Sequence, residues 1–307
     1  MRRIIALVSA LLASALMAAE PKHAPAPAAV EYGEPRQLAT LANPAIAESS
    51  GIACSRRTPD VFWTHNDSGD EPRLYAFNSK GEDLGAWRVR GARARDWEDI
   101  ASFQKDGQSF LLIGDIGDNQ CHHKAYTLYL VPEPPVDPAR RAVQAATEPA
   151  VAIEFRYEDG PHNCEAVAID PTTMTIYLVI KVEGSECGVY SLPLRGGRGA
   201  ALQVARRIAS LTIPTTNAMD ISPDGLRAVV LTYGDAVEFT RQPAETWARA
   251  FARPGRALRM PPRAQGESIC YGPDGKSLYL TSEKLPCPLL EVPALGTDAG
   301  VESRPVE

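Results

Sequence analysis

The chain lacks most of the signatures from which an activity is usually read. Its 307 residues contain no GxSxG nucleophile elbow, no HExxH pair and no phosphate-binding GxxxxGK[ST] loop, which argues against serine-hydrolase, zincin and P-loop chemistry. No two of its six cysteines (Cys54, Cys121, Cys164, Cys187, Cys270, Cys287) are spaced as CxxC, so a zinc ribbon or a thioredoxin-type site is not indicated. Beyond residue 17 no apolar run is long enough to cross a bilayer, which predicts no membrane insertion. Helical periodicity is weak, and only Ala244 to Ala252 suggests a short helix. There is no basic excess either: 38 acids against 32 bases give a net charge of −6, which argues against a general affinity for nucleic acid or anionic lipid.

The first residues read differently from the rest. Arg2 and Arg3 precede an apolar stretch from Ile4 to Met17, and small residues run from Ala13 to Ala19. This is the pattern of a secretion signal over residues 1–19, cleaved between Ala15 and Ala19, and it predicts a periplasmic or secreted protein. A Pro/Ala-rich tether over 20–33 and a single domain over 34–307 follow. An even cysteine count in an exported chain favours disulfides and leaves their pairing open.

The domain is organised by a repeat. Glu267-Ser-Ile-Cys-Tyr-Gly-Pro-Asp-Gly matches Asn217-Ala-Met-Asp-Ile-Ser-Pro-Asp-Gly. Glu165-Ala-Val-Ala-Ile-Asp-Pro, Glu98-Asp-Ile-Ala-Ser-Phe and Glu48-Ser-Ser-Gly-Ile-Ala-Cys are further copies. Each is a polar residue, a short apolar strand and a turn; a second, a third and in most copies a fourth strand follow. A four-strand unit repeated five times predicts an all-β, five-bladed β-propeller, with six blades as the alternative. The last unit lacks a fourth strand, and Arg36 to Leu41 is placed to supply it and close the ring. A β-sandwich of this size would not require five matching segments.

In a propeller the first strand of each blade lines the central channel, so the residues heading those strands stand at one height. On this alignment they are Glu48, Glu98, Glu165, Asn217 and Glu267. Four carboxylates and an amide in a ring need neutralising by protons, a base or a cation, and an all-oxygen donor set suits Ca²⁺ best. A second ring is expected at the ends of the second strands: His65, Asp115, Lys181, Tyr233 and Glu283. Its mixed composition is what an asymmetric ligand demands. Four of these are candidate catalytic residues: His65 as general base, Asp115 to orient it or bind metal, Lys181 for an anionic group, and Tyr233 as hydrogen-bond donor.

The loops His65-Asn-Asp-Ser-Gly-Asp70 and Asp115-Ile-Gly-Asp-Asn119 suit local Ca²⁺ binding or tight turns equally. Cys121-His122-His123 and His162-Asn163-Cys164 offer zinc or copper ligands, but a Cys121–Cys164 disulfide is the simpler account in an oxidising compartment. Trp63 and Trp97 are expected to pack between blades.

The motifs His65-Asn-Asp-Ser-Gly-Asp, Asp96-Trp-Glu-Asp-Ile-Ala, Gly114-Asp-Ile-Gly-Asp-Asn, Glu133-Pro134, Asp159-Gly-Pro-His-Asn-Cys-Glu-Ala, Lys181 and Gln265-Gly-Glu-Ser resemble those of a largely uncharacterised family of exported bacterial propellers. That family is similar, more distantly, to propellers labelled phytase-like or esterase-like. The resemblance implies Ca²⁺-assisted hydrolysis of a phosphoester, carboxylic ester or lactone, with a small anionic or ester substrate. A non-catalytic binding propeller with a structural metal is the alternative.

Overall fold

Apolar residues at alternate positions, interrupted by Asp-Gly and Pro-Asp-Gly turns, dictate short antiparallel strands. A computed structural model describes residues 27–140, 142–184, 186–197 and 199–296. The expected leader and most of the tether lie outside the described residues.

In chain order the first strands are β1 (Glu31–Tyr32) and β2 (Arg36–Thr40). An antiparallel group follows: β3 (Ser49–Cys54), β4 (Phe62–Asn66), β5 (Arg73–Phe77) and β6 (Asp83–Arg88). Next come β7 (Trp97–Lys105), β8 (Gln108–Asp115), β9 (Tyr126–Pro132), the outlying β10 (Val143–Ala146) and β11 (Val151–Tyr157). The third group is β12 (Cys164–Asp170), β13 (Thr175–Ile180), β14 (Cys187–Pro193) and β15 (Gln203–Leu211). Then come β16 (Thr216–Ile221), β17 (Arg227–Thr232), β18 (Ala236–Thr240), helix α1 (Trp247–Phe251) and β19 (Arg256–Leu258). The chain continues through β20 (Cys270–Tyr271), β21 (Leu278–Leu280), β22 (Pro288–Val292) and β23 (Ala294–Leu295). The helix falls inside the Ala244–Ala252 segment expected for it.

The last group takes its fourth strand from the other end of the chain: β2 pairs antiparallel with β22. Two pairings have no counterpart in the repeat. Strand β10, from the connection between β9 and β11, adds in parallel to β6. Strand β11 pairs in parallel with β15, through Phe155–Tyr157 and Gln203–Ala205, so the second and third groups share one eight-stranded sheet.

The inner strands are β3, β7, β12, β16 and β20, and each lies against the next, with β20 returning to β3. They are buried throughout, apart from the exposed end of β7. Strand groups radiating from a cycle of inner strands make the fold a β-propeller.

The core is correspondingly divided into five clusters, one for each pair of neighbouring groups. Trp63, Trp87 and Trp97 fill the gap between the first and second, with the Trp63 and Trp87 rings edge to face at 5.1 Å. Phe155 and Ile169 lie in the next cluster, and Val189 and Trp247 in the third. Leu231 and Tyr271 lie in the fourth, and Phe77 and Leu289 in the fifth.

Buried polar groups cross the same gaps. Asp99 Oδ2 accepts from the amides of Val167, at 2.9 Å, and Met219, at 3.1 Å, and so ties β7 to β12 and β16. Asp220 Oδ2 accepts from the Tyr271 amide at 2.8 Å. Arg241 pairs with Asp170 at 2.7 Å, both buried. All six cysteines are free thiols: Cys164 is wholly buried and Cys121 is exposed, so the expected disulfide between them is not formed here.

Candidate functional site

The site is built by a bulge repeated at the head of the inner strands. In β3 the register with β4 passes from Ser49–Asn66 to Gly51–His65 and skips Ser50. It skips Glu98 in β7, Glu165 in β12 and Asn217 in β16. A bulge leaves one residue without a cross-strand partner and re-aims its side chain. These four residues are therefore structural equivalents, and the repeat alignment puts Glu267 at the fifth place. In the first group the equivalent residue is Ser50; Glu48 stands two residues earlier and is exposed.

The second ring shifts in the same way. The amides of Asp67, Ile116, Lys181 and Glu283 donate to the carbonyls of Glu48, Asp96, Asn163 and Gln265 respectively. Asp67 and Ile116 thus match Lys181 and Glu283, whereas Asp115 falls one residue short and His65 two. Because side chains alternate in a strand, the one-residue step turns Asp115 to the other face.

His65 lies in the packing between the first and second groups. It is wholly buried, edge-on to Trp97 at 5.5 Å. Nδ1 lies 2.9 Å from the Asn66 carbonyl, and Nε2 has no partner. Burial lowers its pKa to about 4, so it is neutral at pH 7. Asp115 is buried too, with Oδ1 accepting from the amides of Arg95 and Asp96 at 3.2 and 2.8 Å. It shapes the turn that carries Asp96.

The acids that do converge are Asp67, Asp96, Glu98, Glu165, Glu267 and Glu283. Asp67, Glu267 and Glu283 offer oxygens within 4.8 Å of one another, and so do Asp67, Asp96 and Glu98. Asp67 is common to both groups. Behind them Glu165 pairs with Lys181, whose Nζ also donates to the Tyr233 hydroxyl at 2.8 Å. Tyr233 is half exposed at the rim. Gln265 Nε2 donates to Glu267 Oε1 at 3.0 Å. Asn217 is buried, its Nδ2 donating to the Gly266 carbonyl at 3.3 Å and its Oδ1 lacking a partner.

The electrostatics follow from burial among like charges. Glu98 is raised well above the usual carboxylate range by burial, then by Glu165, Asp67, Asp96 and Glu267. Burial and Glu267 push Glu283 up to about 9. Burial, with Asp96 and Glu267 adding to it, pushes Asp67 to about 6. Glu165 is raised by burial to about 7 although Lys181 opposes the rise. Lys181 itself is raised, since Glu165 and the hydrogen bonds outweigh the lowering by burial.

A cation fits these residues. The donors are all oxygen, which suits Ca²⁺, and Lys181 pairs with only one of the six carboxylates, Glu165. Gly117 completes the cradle: a Cβ there would overlap Oε1 of Glu98 and Oδ2 of Asp96.

Of the sequence-derived set, the structure brings together Glu98, Glu165, Glu267, Lys181, Tyr233 and Glu283. Asn217 stands beside them, and so does the exposed Glu48, whose charge acts on Asp67 and Glu283, while His65 and Asp115 are displaced. Asp67 and Asp96 were not assigned to either ring, although both lie in the quoted motifs. Aligning the second strands on Lys181 and Glu283 would have found Asp67.

No family model and no curated protein matches the chain. Among solved structures it is similar to a gluconolactonase from Xanthomonas campestris, at 16% identity and TM-score 0.44, over 80% of this chain and 72% of that one. It is also similar to the Dos1 propeller, at 10% identity and TM-score 0.37, over 80% and 68% of the two chains.

Proposed function

We propose that this is an exported, periplasmic or secreted, five-bladed propeller closed by β2, whose acidic channel mouth holds Ca²⁺ and hydrolyses a phosphoester, carboxylic ester or lactone. The observation that carries the cation is Asp67, whose carboxylate stands within 4.8 Å of two separate pairs of acids. The closed cycle of inner strands supports the blade count. When bound, the ion supplies the positive charge these acids lack and polarises a substrate oxygen. Lys181 and Tyr233, linked at the rim, are placed to orient that substrate. The motif resemblance points to the same chemistry.

One observation favours a non-catalytic binding propeller with a structural ion. The only imidazole expected at the site, His65, is enclosed in the core. Turnover would then depend on a carboxylate of the cluster accepting the proton of the attacking water.

Metal analysis of the purified chain should give near-stoichiometric calcium, with a Tm that falls on chelation and recovers with Ca²⁺. Absence of both effects would remove the cation from the site. Lys181→Ala then separates the two readings: a hydrolase loses turnover of phosphoester or lactone substrates while retaining its fold, whereas a binding propeller shows no turnover in either form.

A further inference from the structure

The acids that surround Asp67 come from the first, second and fifth strand groups. The facing wall is different in kind: it holds Lys181, Tyr233 and Asn217 and, in the loop entering β20, Arg263. Lys181 is engaged by Glu165. Arg263 has no such partner among the described residues. Its Nη1 and Nη2 donate only to the carbonyls of Pro261 and Thr232, at 3.1 and 2.9 Å, and its buried Nε has no acceptor. Asp235, the acid that acts on it, is engaged by the Met260 amide at 3.0 Å.

The position of the guanidinium is well defined. It packs against Gly266, where a Cβ would come within 2.5 Å of Arg263 Cζ. Gly266 directly precedes Glu267, and Thr232 directly precedes Tyr233. Arg263 therefore shares Gly266 with Asn217, whose Nδ2 donates to the Gly266 carbonyl at 3.3 Å, and contacts the residues that precede two side chains of the site. A half-buried cation with no paired carboxylate is open to a ligand that supplies the opposite charge. A planar guanidinium with spare N–H groups suits an oxyanion.

We propose that Arg263 anchors the anionic group of the site's ligand, a phosphate-type oxyanion, across the channel mouth from the acids. The inference rests on the cation reading of those acids and narrows the ligand to one bearing negative charge. The site is then divided, with metal-binding oxygens on one wall and anion-binding nitrogens on the other.

Isothermal titration of inorganic phosphate into the Ca²⁺-loaded chain tests it, with Ca²⁺ titrated separately into each variant. Arg263→Gln should weaken phosphate binding about tenfold or more and leave Ca²⁺ affinity nearly unchanged. Gly266→Ala supplies a second variant, because the added methyl displaces the guanidinium while Arg263 is retained, and it should show the same loss. Phosphate binding that survives both substitutions overturns the proposal, as does acetate binding more tightly than phosphate. Ca²⁺ binding without phosphate binding overturns the Arg263 assignment and leaves the cation reading intact. Phosphate binding without Ca²⁺ that Arg263→Gln abolishes supports the anchor and removes the cation. If neither ion binds, both fall.

Discussion

A methyl group on Gly117 would overlap oxygens of Glu98 and Asp96, so Gly117→Ala must displace two carboxylates at once. Disturbing the surroundings of metal ligands typically weakens binding roughly 10–100-fold, and calorimetric titration of Ca²⁺ should show a loss of that order with the fold retained. Protons should compete with the metal at the same acids. Asp67 and Glu283 are raised from 3.8 to about 6 and from 4.5 to about 9. The folded chain therefore keeps protons that the unfolded chain has already released. For the chelated protein, stability from these groups is fully present in mild acid and declines as pH rises through the interval from about 4 to about 9. Saturating Ca²⁺ should flatten that decline, and denaturant midpoints measured across the interval with and without the ion check it.

Among the elements, the inner strands and their turns were legible because each copy pairs an alternating apolar run with a strong turn signal. The site was legible only in part, and the bulge is the physical reason. An unpartnered residue in the register is invisible to spacing, so Glu48 was placed where Ser50 stands, His65 was taken two residues early and Asp115 one. His65 itself is enclosed in the core against Trp97. Strand β10 carries no repeat signature and could not be read at all. The pins between groups were likewise silent in sequence, because Asp170 and Arg241 are far apart in the chain. Arg241→Leu would leave Asp170 buried without its cation, a loss of roughly 3–5 kcal/mol. Thermal denaturation should show a Tm lower by about 10 °C.

For the molecule as a whole, the cycle of inner strands depends on its weakest member. The group of β20 and β21 has two- and three-residue strands and borrows β2 as its outer strand. A chain lacking residues 27–41 should expose the β22 edge, and light scattering together with a lowered Tm would register the resulting self-association. The opposite side of the ring behaves otherwise. Because β11 and β15 hydrogen-bond along their outer edges, the second and third groups are joined at the rim as well as at the axis, so neither can splay without breaking both. Native-state amide exchange should divide the ring into a slow-exchanging sector spanning β7–β15 and a faster one containing β20–β22. The ring would then breathe through one side only, and a ligand too large for the open mouth would enter past β20.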